Sequence, residues 1–118
     1  MINSVYLVVE PMIVIATDLA MNVQDYDPWA TVLVAHSPEA ACEVLRTEAS
    51  VKLAFVNVDL RKFCSSDLAR ALNARGARIV FAGASTDRMD CDKLVLDWPF
   101  STETTADLLQ LAETMEAA

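Results

Sequence analysis

Glycine is nearly absent from this chain, with two among 118 residues, and histidine occurs once. With 54% apolar residues beside that scarcity, long low-complexity or disordered stretches are not expected. Basic residues are also few. Nine Lys and Arg stand against seventeen Asp and Glu, a formal net charge of −8. Nucleic acid is therefore not expected as a direct partner, because phosphate binding needs clustered Lys and Arg. The acidic surplus reads as a device for solubility. No apolar run approaches the ~18 residues that cross a bilayer. No basic segment precedes an apolar one at the N-terminus. The expectation is a cytoplasmic protein with no membrane partner. Cys42, Cys64 and Cys91 show neither C-x-x-C spacing nor an even count, which fits free thiols. No G-x-S-x-G, P-loop or G-x-G-x-x-G occurs, so no enzyme activity is expected. His36, at the end of an apolar run and away from the expected crevice, reads as a strand-end histidine rather than a base.

What the chain does hold is a regular alternation. SVYLVV (4–9), ATVLVA (30–35), KLAFVNV (52–58), RIVFA (78–82) and KLVL (93–96) are short apolar runs of the kind that form strands buried on both faces. Between them lie segments with helical spacing. Ile13, Ala16, Ala20 and Val23 mark a helix over about 12–24, stopped by Asp25-Tyr26-Asp27-Pro28. Tyr26 and Trp29 are expected to staple the loop that follows. Ser37-Pro38-Glu39 is a helix start: a capping hydroxyl, a proline at the first helical position and an acid at the positive end of the dipole. Ala41, Val44 and Leu45 form its inner stripe. Ser65 or Ser66 opens a third helix through Leu68, Ala71 and Leu72, and Gly76 falls where a left-handed residue closes a helix. The stretch 85–92 allows a short fourth helix at most. Ser101 opens the last one, with Leu108, Leu111, Ala112 and Met115 inward and Leu109 exposed.

Strands alternating with helices across short loops imply βαβ units and a parallel sheet covered on both faces. At this length the expectation is one domain, 1–118, of α/β class. It is flavodoxin-like and doubly wound, a five-stranded parallel sheet in the order 2-1-3-4-5. Its usable crevice lies at the carboxyl ends of strands one and three. Glu10, Pro11, Asn57, Asp59, Gly83 and Trp98 fall at or just past strand ends on that edge.

Over about 5–112 the chain resembles the receiver domains of two-component response regulators. VVEPMIVIATDLA is similar to their first strand and helix, and LAFVNVDL to the strand that ends in the phosphoacceptor Asp. LARALNARGARIVFAGAS and VLDWPFS are similar to the third helix with the fourth strand and to the fifth-strand signature. The departures fall on the family's chemistry. Of its paired acids only Glu10 stands, and the second position is Pro11. Asn57 occupies the phosphoacceptor position, Gly83 the Thr/Ser position, Trp98 the Lys position and Val95 the aromatic switch position. Asp59 stands where the family offers a backbone carbonyl to its metal.

Each departure removes a physical part. An amide lacks the charge and nucleophilicity of a carboxylate. Mg²⁺ seeks near-octahedral oxygen ligands with one or two carboxylates, so no metal or other cofactor is expected. Trp98 brings no ammonium to phosphoryl oxygens. The resemblance thus implies a stand-alone pseudo-receiver that signals by protein–protein contact without phosphorylation. Its partner would be a histidine kinase, another regulator or a second copy. In the family, copies meet through the fourth helix, fifth strand and fifth helix, which makes Val95, Trp98, Phe100 and Leu109 the candidate contact residues. Two alternatives stand beside this reading. One is a residual phosphoryl-accepting or metal-binding regulator using Asp59 and Glu10. The other is a small-molecule sensor whose ligand fills the vacated acidic pocket.

Overall fold

The structure is a computed structural model that describes residues 4–48, 50–58, 66–83, 94–97 and 102–117; at 83, 94–97, 102 and 112–117 it describes the backbone only. Its strands are β1 (Val5–Val9), β2 (Thr31–Ala35), β3 (Leu53–Val56), β4 (Arg78–Gly83) and β5 (Leu94–Asp97). Its helices among the described residues are α1 (Ile13–Tyr26), α2 (Pro38–Leu45), α3 (Asp67–Ala74) and α4 (Thr102–Ala117). All strand pairs are parallel, and the sheet runs β2-β1-β3-β4-β5. The expected short fourth helix over 85–92 lies outside the described residues.

Strand alternation divides the core between the two faces of the sheet. Tyr6, Val8, Phe55 and Val80 point to one side, where they meet Ala16, Leu19 and Val23 of α1 and Leu109 of α4. Leu7, Val9, Ala54, Val56 and Ile79 point to the other, against Ala41 and Leu45 of α2 and Leu68 and Leu72 of α3. β1 and β3 are the central strands and nearly every residue in them is buried.

Local chemistry sets the helix ends. Ser37 and Ser66 cap α2 and α3, their hydroxyls accepting from the Ala40 and Ala69 N–H groups at 3.1 Å each. α3 closes in a Schellman motif. The Ala77 N–H donates to the Leu72 carbonyl and the Gly76 N–H to the Asn73 carbonyl, with Gly76 at φ +72°. The Arg75 guanidinium binds the ends of two helices together: Nε donates to the carbonyls of Leu45 (3.1 Å) and Glu48 (2.8 Å), and Nη1 to that of Ala71 (2.9 Å).

Several sequence expectations need correction. β2 is not buried on both faces: at the sheet edge, where the expected order puts it, Thr31 and Val34 are exposed. Ile13 is exposed, and the inner stripe of α1 runs through Ala16, Leu19 and Val23. Trp29 is 76% exposed and staples nothing, while Tyr26 alone packs on the core. In α4 Leu108 packs inward as expected beside buried Thr105 and Leu109, Leu111 is exposed, and the side chains of Ala112 and Met115 lie outside the described residues. Thr105, a polar residue, takes a fully buried position that an apolar template skips.

Candidate functional site

β1 and β3 bring their carboxyl ends side by side. Val9 pairs with Val56, and the Asn57 N–H donates to the Val9 carbonyl at 2.8 Å. Glu10 and Asn57, each the first residue past its strand, therefore face one crevice. Glu10 is also fixed from the β2 side. Its N–H donates to the Ala35 carbonyl at 3.0 Å, and its carbonyl accepts from His36 Nδ1 at 3.0 Å. A carbonyl can only accept, so Nδ1 carries the proton in this contact. His36 thus abuts the crevice rather than standing away from it, because the β1–β2 register sets the residue after Ala35 beside the residue after Val9.

The Glu10 side chain is 97% buried, its exposure only 3%. A buried carboxylate is costly unless its oxygens are hydrogen-bonded. Both oxygens are. Oε2 accepts from the Met12 N–H at 2.7 Å, and Oε1 accepts from Asn57 Nδ2 at 2.6 Å. Since a carboxylate oxygen accepts, the NH₂ of Asn57 must be the group facing it. Met12 stands at the N-cap of α1 and its side chain makes no cap. Glu10 takes a backbone donor there that a Ser or Asp cap would not reach from Met12's position. One carboxylate accordingly ties the end of β3 to the start of α1.

This arrangement does not suit a divalent cation. Of the acids whose side chains are described, Glu10 stands at the crevice, both of its oxygens already accept N–H groups, and Pro11 is exposed with no side-chain ligand. The other expected site residues divide as follows. Gly83 ends β4 beside Asp97 of β5, on the same carboxyl edge. Val95 lies in β5 opposite Phe81. Asp59, Trp98 and Phe100 lie outside the described residues. Leu109 is 2% exposed and belongs to the core on the α1 side, so it is no contact residue.

A groove of about 460 Å³ runs between α2 and α3, with Cys42, Glu39, Glu43 and Asp67 among its lining residues. Burial, then the charges of Asp67 and Glu39, push the Cys42 thiol up from its ordinary value, while Arg75 opposes them. That thiol is disfavoured as a nucleophile.

Comparison with known proteins agrees with this fold. The fold is similar to that in the solution structure of SdrG from Sphingomonas melonis Fr1, at 27% identity and a TM-score of 0.71, covering 94% of this chain and 97% of that one. It is also similar to the crystal structure of a response regulator receiver protein from Sinorhizobium medicae WSM419, at 16% identity and a TM-score of 0.61, covering 93% and 97%. No family model matches the sequence, and no curated protein matches it. The architecture, flavodoxin-like α/β with a parallel sheet, is similar to that of the receiver protein. Among the described residues, no helix is long and apolar enough to cross a membrane.

Proposed function

We propose that the chain is a pseudo-receiver: a binding module in two-component-type signalling that works through protein contact and not through aspartyl phosphorylation. The observation that supports this reading is the Asn57–Glu10 hydrogen bond. The position matching the phosphoacceptor spends its amide on a carboxylate that would otherwise serve a metal. An amide neither attacks phosphorus nor carries the charge that draws Mg²⁺. The partner is a histidine kinase or another regulator, and the exposed side chains Met12 and Val14, beside the crevice at the start of α1, offer it apolar surface.

The test is incubation with a small phosphodonor and Mg²⁺, followed by intact and peptide mass spectrometry. The expected result is an unmodified chain. A phosphoryl adduct on Asp59 overturns the proposal and favours residual phosphoryl acceptance. The Asn57→Asp variant is expected to gain no rapid Mg²⁺-dependent phosphorylation, since Pro11, Gly83 and Trp98 still differ from the receiver pattern.

A further inference from the structure

We propose that two copies of this chain associate through β2, edge to edge and antiparallel, about a two-fold axis at Leu33. The backbone supplies the first argument. The Thr31 N–H donates to the Ser4 carbonyl at 2.9 Å, and the Ala35 carbonyl accepts from Glu10 at 3.0 Å. Thr31, Leu33 and Ala35 therefore turn their backbone groups toward β1. Strand alternation then turns the N–H and C=O of Val32 and Val34 outward, where no further strand lies among the described residues. With the axis at Leu33, Val32 of one copy meets Val34 of the other, and each pair exchanges two N–H···O=C bonds. Chains protect such edges with charges, proline or bulges. The strand TVLVA has none of these.

Charge supplies the second argument. Copies with a net charge of −8 repel one another, and contact is least opposed where the surface carries no charge. β2 lies in such a band. On its α1 side, Gln24 donates to the carbonyls of Pro28 and Ala30, at the approach to β2, which places the stripe Ile13, Thr17, Ala20 and Gln24 along the edge. On the α2 side, Cys42 faces the groove toward α3, which leaves Ala40 and Val44 on the flank toward the edge. None of these residues is charged, although Asp and Glu make up seventeen residues of the chain.

The exposed apolar side chains fit the same two-fold. Val34 is 38% and Ile13 67% exposed at one end of β2, and Trp29 is 76% exposed at the other. Antiparallel pairing sets the Trp29 end of one copy beside the Ile13 and Val34 end of the second, so each apolar end covers the other. The inference is independent of how Asp59 or the crevice behaves.

Light scattering on size-exclusion fractions over a range of concentrations tests it. The expected result is a dimer mass that falls to that of a single chain in Val34→Lys, with the circular dichroism spectrum retained. Leu111→Lys, on exposed α4 surface, is expected to leave the dimer intact. Amide hydrogen exchange of the unaltered protein provides a second measurement that needs no variant: the Val32 and Val34 amides are expected to gain protection as concentration rises. A chain that stays monomeric throughout overturns the proposal. So does a dimer lost in Leu111→Lys but kept in Val34→Lys, or one whose Val32 and Val34 amides exchange as fast as in the dilute protein.

Discussion

The Asn57 side-chain amide donates to the buried Glu10 carboxylate across 2.6 Å, joining the end of β3 to the end of β1. Two acidic side chains at this distance would repel, because like charges so close cannot both stay ionised. The amide removes that repulsion and replaces it with a hydrogen bond to a charged group.

Asn57→Asp should therefore destabilise the fold near neutral pH by about 1–3 kcal/mol, the cost of leaving a buried charged acceptor opposed rather than paired. The repulsion raises a carboxyl pKa in the folded variant. Stability is then fully retained below the unfolded carboxyl pKa and lost as pH rises through the raised folded value. Thermal melts across the acidic range should show the gap between variant and parent narrowing as pH falls. An equal gap at every pH would mean that the two groups do not interact.

Leu109 and Leu111 separate two registers of the last helix. Leu109→Ala should cost about 2–5 kcal/mol, as expected for a large side chain lost from a core. Leu111→Ala, on exposed surface, should stay within about 0.5 kcal/mol of the parent. Urea titrations of both variants read the difference, and the opposite ranking would restore the stripe expected from sequence.

Arg75→Ala should lower stability by about 1–3 kcal/mol, because its guanidinium serves carbonyls of Leu45, Glu48 and Ala71 at once. Arg75→Lys should recover only part of this, since an ammonium cannot present the same planar fork. The comparison of the three melting temperatures checks the order.

Gly76→Ala should cost about 1–2 kcal/mol from its left-handed backbone alone, given φ +72° and no atom within 4 Å of an added Cβ. A denaturant titration should show a lower midpoint with an unchanged slope.

How much of this was legible beforehand follows from what sequence patterns encode. The caps at Ser37 and Ser66 and the left-handed Gly76 were readable, because each depends on local backbone chemistry. The parallel α/β arrangement was readable from alternating apolar runs. The exposure of β2 was not, although the order 2-1-3-4-5 puts that strand at the edge, since TVLVA is as apolar as the central strands. The Glu10–Asn57 bond was also hidden. Both residues were marked as strand-end candidates, but an amide facing a carboxylate depends on β1–β3 register, a contact spanning 47 positions. The His36 contact was hidden for the same reason: its partner carbonyl lies 26 positions away.

The Met12 N–H and the Asn57 amide share one carboxylate, and this sharing orders the mutational paths open to the chain. A change at Asn57 strips Glu10 of one partner while the other still holds it in place at the start of α1. A change at Glu10 strands both donors at once. A second acid placed at Asn57 therefore meets the Glu10 carboxylate without the donor that now satisfies it, at a cost to folding. The bond thus makes folding stability itself oppose a second charge beside Glu10, apart from whatever the crevice does.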